Sequence, residues 1–189
     1  MQINQFFRAL GVAFLLLATP ALQAAPDKEA QRAEVRKSTK AVLTQLYRAQ
    51  PAARKAIESA AGYAVFSNFG MKIFFAGGGS GKGIAFDRAS NKETFMDMLE
   101  VQAGLGIGVK KFGLVFVFEN ARALRSFIDS GWEAGAQTSV AATDGKQGMA
   151  LQGAISVSPG VWLYQVTDKG LAVEATIKGT KYYKNDDLN

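Results

Sequence analysis

The chain has 189 residues, 48% hydrophobic and 20% charged, with no cysteine and no histidine. That composition fits one ordinary globular domain and excludes disulfides, thiol nucleophiles, Ser-His-Asp triads, histidine acid-base pairs and Cys or His zinc sites. Twenty-two Lys and Arg against sixteen Asp and Glu leave a formal charge of +6, which attracts phosphate-bearing partners, either nucleic acid or anionic lipid.

Residues 1–24 have the pattern of a secretory signal. Arg8 supplies the positive start, Ala9 to Ala18 form an apolar run, and Thr19 to Ala24 lead to small residues with cleavage expected after Ala24. The run is short of the roughly 20 residues that span a bilayer, so a retained anchor is the weaker reading. Without a cysteine at the cleavage site, a lipoprotein is excluded. The expected product is a free protein, periplasmic or secreted and peripheral to a membrane. Export separates it from nucleic acid, leaving phospholipid head groups or another envelope polyanion as the expected partner.

From Asp27 to about Ala49 there is no Gly or Pro, and Ala, Lys, Arg, Glu and Gln dominate, which predicts a helix. At about 100° per residue, Val35, Thr39, Val42, Leu43 and Leu46 fall on one stripe. Lys28, Arg32, Arg36 and Lys40 recur every four residues and drift from that stripe to its flank. Pro51 restarts the chain at a first helical position, and a short helix is expected to about Ala60.

Beyond Gly62 the periodicity becomes that of strands: Tyr63 to Phe66, Lys72 to Gly78, Lys82 to Phe86, Thr94 to Val109 and Gly113 to Phe118. Breaks are expected at Asn68-Phe69-Gly70, Gly78 to Gly81, Arg88 to Asn91 and Lys110-Lys111. Asn120 caps a further helix with Ala121, Leu124, Phe127 and Ile128 on its apolar face and Gly131 at its end. Strands are then expected over Trp132 to Ala142, Met149 to Val157, Val161 to Val166, Leu171 to Ile177 and Lys181 to Tyr183, with a turn near Asp144-Gly145. Short turns make these strands antiparallel.

The run Gly77-Gly78-Gly79-Ser80-Gly81-Lys82-Gly83 does not make a phosphate loop, because Ala76 and Gly83 stand where that motif needs Gly and a Ser or Thr. Its spacing by two is more informative. Gly77, Gly79, Gly81 and Gly83 share one face of an extended chain, as do Gly104, Gly106 and Gly108, and a bare strand face permits close approach and sharp curvature. The acidic residues are scattered and form no general acid-base pair; each, Glu100 and Glu133 included, reads as a solvated strand face or a helix-terminus charge. The cations are better grouped. Beside the helix row stand Lys37, Arg54 and Lys55; Lys72 and Lys82 flank the first hairpin; Lys110 and Lys111 sit together, and Lys72 adjoins the apolar tract Phe69, Met71, Phe74, Phe75. That tract with a basic flank suits a bilayer interface or a sheet core.

Five ordered blocks carry a resemblance to a family: Gly62 to Asn68, the hairpin ending Gly81-Lys82-Gly83, Val115 to Asn120 with the helix after it, Gly131-Trp132-Glu133-Ala134-Gly135-Ala136, and Val166-Thr167-Asp168-Lys169-Gly170-Leu171. Together they resemble the SYLF domain of bacterial envelope proteins and eukaryotic trafficking adaptors, over nearly all of residues 25–189. The resemblance implies phospholipid binding, with phosphoinositide preference in eukaryotic members, and an N-terminal amphipathic helix as membrane contact. It implies Arg32, Arg36, Lys37 and Lys40 as head-group contacts beside Val35, Val42 and Leu46. Ser67 departs from the Pro many members carry, and Met71 to Phe75 is less Gly-rich than usual.

The expected architecture is α+β: a strongly curved, half-barrel-like antiparallel sheet packed by N-terminal helices and one mid-chain helix. Residues 1–24 are the signal, 25–60 the helical part and 61–189 the β-rich remainder of one domain. The expected function is non-enzymatic lipid binding, with no catalytic residue, metal or cofactor, and with Arg32, Arg36, Lys37, Lys40, Lys72, Lys82, Lys110 and Lys111 as candidate contacts. A protein-interaction module of the envelope is the alternative. A small outer-membrane barrel fits less well, since the chain has long helices and ends Asp187-Leu188-Asn189.

Overall fold

The computed structural model describes residues 27–73, 76–103, 108–134, 151–171 and 179–189. The signal segment, the turn near Asp144 and most of the strands expected over 132–142 and 171–177 lie outside the described residues. In chain order the elements are α1 (Lys28–Ala49), α2 (Ala52–Ser59), β1 (Gly62–Ile73), β2 (Ala76–Asp87), β3 (Lys92–Ala103), β4 (Gly108–Phe118), α3 (Ala121–Asp129), β5 (Trp132–Ala134), β6 (Ile155–Ser158), β7 (Val161–Thr167), β8 (Gly170–Leu171) and β9 (Thr180–Lys184). All described strands join one antiparallel sheet in the order β5-β9-β3-β2-β1-β4-β7-β6, with β8 paired to β7.

α1 ends where Pro51 forbids its continuation, and Gln50 before it leaves the helical region, with φ −142° and ψ 88°. The caps of α3 are as expected: Asn120 Oδ1 accepts from Ala123 N at 2.9 Å, and Gly131 beyond the helix has φ +68°.

Two expected breaks are strand interior. β1 runs through Asn68-Phe69-Gly70 to Ile73, and β2 runs through Gly77 to Gly81, the two pairing without a slip from Gly62 with Asp87 to Ile73 with Ala76. Neither expected break ends its strand. Glycines mark close approach along this strand instead of ending it: a Cβ on Gly83 would sit 2.4 Å from Phe66 Cδ1, and one on Gly81 would sit 2.8 Å from Ser67 O. The stretch expected as one strand over Thr94 to Val109 contains the end of β3 and the start of β4, which are not neighbours in the sheet.

The curvature can be read from two rings. Phe116 on β4 and Tyr182 on β9 are four strands apart, about 19 Å along a flat sheet at about 4.8 Å per strand. Their centroids lie 5.0 Å apart. The sheet has therefore rolled into a half-barrel around this face. Inside it Phe66, Met96, Met98, Phe116, Phe118, Leu163 and Tyr182 pack on Leu124 and Phe127 of α3. On the outer face Val65, Val115, Val117, Tyr164 and Val166 pack under Val42 and Leu46 of α1 and Ala53 and Ile57 of α2. Val35, Ile84, Phe95 and Leu188 make a third, smaller cluster where α1 begins.

Candidate functional site

The row of cations on α1 divides into two groups. Arg32 and Arg36 dock the helix. Arg32 Nε donates to Leu188 O at 2.8 Å and its guanidinium pairs with Glu29, while Arg36 Nε donates to Glu93 Oε2 at 2.9 Å. Both guanidiniums lie over the Phe95 ring, at 5.9 and 5.2 Å from its centroid. They border a cavity of about 450 Å³ shared with Lys92, Arg125 and Lys184, where Lys184 Nζ donates to Asp129 Oδ1 at 2.7 Å. Lys37 and Lys40 are exposed on the helix, and Lys40 also borders a pocket over Tyr63, Val65 and Ile84 of the sheet. Lys37 stands 3.7 Å from Glu34, an exposed pair of little energetic weight. With Arg48, which sequence spacing did not single out, they ring a shallow depression floored by Ala41, Thr44 and Gln45.

The apolar stripe of α1 is closed to any ligand. Val35, Val42 and Leu46 are buried against the sheet, and the approach is so close that a Cβ on Gly113 would sit 2.4 Å from Val42 Cγ1. The helix is amphipathic because it is a layer of the domain, so the side turned away from the sheet is polar. Tyr47 belongs to the same layer: burial and the neighbouring Tyr63 push its hydroxyl above the usual value, so Arg54, 4.3 Å over the ring, faces a neutral phenol.

Lys82 and Lys111 are exposed in the middle of β2 and near the start of β4. Lys110 and Lys111 thus lie in a strand, correcting the tight turn expected there, because Lys110 pairs with Gly70 and Lys111 with Phe69 across β1. The backbone of Lys72 pairs with Gly77 and Gly108. A groove of about 630 Å³ lies between α1 and the uncovered part of the outer sheet face. Ser38, Ala41 and Gln45 form its helical wall, Ser67, Lys82 and Lys111 lie on its floor, and Leu99 and Tyr183 form its far rim. Gln45 Nε2 donates to Thr167 O at 2.7 Å and ties the helical wall to β7. Asp97, directly across from Lys82, accepts from Asn185 Nδ2 at 2.8 Å.

One acidic residue departs from the solvated reading. Glu100 is 1% exposed inside the half-barrel and accepts from Asn68 Nδ2 at 2.8 Å. The bond spans β2 because Gly79 and Gly81, opposite Glu100 and Asn68, put no side chain between them. Among the described residues Asn68 Oδ1 is buried without a hydrogen-bond partner, and burial, with the charge of Glu100 adding to it, holds the Tyr182 hydroxyl well above its usual pKa.

A family model described as Ysc84, Las17-binding protein actin regulator, matches residues 99–189. Beta cell expansion factor A of Aeromonas veronii is 33% identical over 163 residues, which is 85% of this chain and 60% of the relative, so the chain spans about three fifths of that protein's length. The matched region begins in β3 and takes in β4, α3 and every later strand, including the aromatic core around Phe116 and Tyr182. Residues 99–189 thus carry the match to the Ysc84 (SYLF) domain, and the chain is homologous to the Aeromonas protein over 85% of its own length.

Proposed function

We propose that the chain is an exported, non-enzymatic protein that binds membranes carrying anionic phospholipid through its outer helical layer. The observation that carries this reading is where the charge sits. Residues 27–60 hold eight Lys and Arg against four Asp and Glu, a balance of +4, whereas residues 61–189 hold thirteen against twelve, a balance of +1. Nearly all the excess charge therefore lies on two helices that form one side of the molecule. Lys37, Lys40 and Arg48 contribute most, being exposed around one depression of α1. Each cation held near an anionic surface contributes about 1 kcal/mol at low salt.

An envelope protein as the partner is the second reading, favoured by a family description that names the protein Las17. Co-sedimentation of the purified chain with vesicles separates the two. Binding should rise with phosphatidylglycerol content and fall with salt, and replacing Lys37, Lys40 and Arg48 by Ala should weaken it mainly at low salt. A folded chain that ignores such vesicles at every salt concentration would sink the lipid reading. Export is tested separately: terminal sequencing of the protein from the exporting cell should find Ala25 first, and an intact Met1 would remove it.

A further inference from the structure

Charge alone gives a contact that salt screens away within about 10 Å. With its apolar stripe buried, α1 adds no insertion to the charge it carries. Among the described residues the exposed large apolar side chains are Leu99, Val101 and Tyr183, at 48%, 63% and 39% exposure. All three lie on one surface. Along β3 the outer face runs Phe95, Asp97, Leu99, Val101; Phe95 is buried under α1 beside Val35, and the later positions emerge past the helix edge. Tyr183 on β9 is paired with Asp97, one step diagonal to Leu99. Leu99 and Tyr183 form the rim of the groove whose opposite wall includes Ala41 and Gln45, and those two residues also floor the depression ringed by Lys37, Lys40 and Arg48. Cations, polar groove and apolar rim are thus continuous.

We propose that Leu99, Val101 and Tyr183 are the apolar half of a bilayer contact: they enter the boundary between head groups and acyl chains, while Lys82 in the groove and the α1 cations meet the lipid phosphates. The proposal rests on the lipid-binding reading and assigns the insertion surface within it. An apolar patch bordered by cations is the pattern of interfacial binding, and a tyrosine with an apolar ring and a wet hydroxyl suits that boundary. Three side chains fall far short of the roughly 800 Å² per partner that a stable protein interface buries, whereas a shallow wedge in a bilayer needs no more than a few. Asp97, the acid beside Lys82, is engaged by the Asn185 amide.

The test uses the whole chain and vesicles of phosphatidylethanolamine with about 30% phosphatidylglycerol, some carrying brominated acyl chains. Val101→Trp should gain emission that the brominated vesicles quench. The triple variant Leu99→Ser, Val101→Ser, Tyr183→Ser, with wild-type melting and circular dichroism, should keep low-salt binding and lose binding by about tenfold at high salt. If the triple variant binds like wild type at high salt, or the new tryptophan is unquenched on vesicle-bound protein, the patch assignment is wrong while lipid binding stands. A wild-type chain that sediments as a dimer without vesicles, and a triple variant that is monomeric, would give the patch to a second copy and overturn the proposal. No wild-type binding at any salt would remove the lipid reading itself.

Discussion

Phe116 and Val117 are adjacent in β4 and belong to different cores. Phe116 faces into the half-barrel and touches Phe66, Phe127, Trp132 and Tyr182, with centroids 5.0 to 6.1 Å apart; Val117 faces outward, under the helical layer. The inner face is closed by aromatic rings in tilted and edge contacts, and its strands are held by curvature. The outer face is covered over part of its width, by α1 and α2, with Val35, Val42, Leu46 and Ile57 against the sheet and two arginines at the start of α1. Burial is nearly complete on the inside, so its side chains set the fold. On the outside α1 leaves strands uncovered, and there the groove and the exposed apolar residues lie.

That contrast breaks first at the inner face. Phe116→Ala removes the ring through which β1, β4, β5, β9 and α3 meet, and should cost about 3–5 kcal/mol, read as the shift in a urea unfolding curve. A comparable loss from an alanine at an exposed outer position such as Leu99 would show that the inner core is not the dominant one.

Alkaline pH loads both faces at once. Tyr164 is buried on the outer face, and burial pushes its hydroxyl up to about 12; Tyr182 on the inner face is also raised. A phenol whose pKa is higher folded than unfolded contributes stability that is complete below about pH 10 and is lost as pH rises through the folded value. Stability should therefore fall between pH 10 and about 12, by an amount on the order of 3 kcal/mol from Tyr164. Tyr164→Phe should flatten the fall by that share, followed by urea titration at each pH. An unchanged slope would place the alkaline loss elsewhere.

Gly113 separates the layers more gently. An alanine there pushes its Cβ into Val42, so α1 has to lift, at about 2 kcal/mol. Amide exchange should speed up along α1 and stay slow in β1 and β4. If the central strands loosened equally, helix and sheet would form one cooperative unit.

Much of the architecture was legible because it rests on local signals. The Gly-free stretch before Pro51 marks α1, Asn120 and Gly131 bracket α3, and glycines spaced by two on β2 announce a bare, curved face. The limits of β1 and β2 were not legible, since glycine is read as a strand end where crowding by Phe66 is what requires it. Glu100 was misread for a related reason: its burial depends on Asn68, 32 positions away and two strands over. The cations of α1 were found except Arg48, but their division was not, because Leu188 and Glu93, which hold Arg32 and Arg36, come from the far end of the chain and from β3. Leu99 and Val101 lie in the stretch expected as one strand over Thr94 to Val109, and their exposure follows from where α1 crosses the sheet.

The division of the α1 row gives the smallest effect and the finest discrimination between docking and contact. Arg36 and Lys37 are neighbours in sequence, yet Arg36 holds Glu93 and lies over Phe95, while Lys37 projects away from the sheet. The Arg36 pair is about half exposed on both partners, so its electrostatic share is discounted to about 0.5 kcal/mol, with a similar amount from the contact over the ring. Arg36→Ala should therefore lower stability by about 1 kcal/mol, whereas Lys37→Ala should change it by less than about 0.3 kcal/mol. Vesicle binding should show the opposite order. Losing Lys37 removes a cation that faces outward, about 1 kcal/mol at low salt, and losing Arg36 removes one already neutralised by Glu93. Urea unfolding and low-salt co-sedimentation on the two variants give four values, and equal effects of the two substitutions in both assays would end the distinction between anchoring and contact cations.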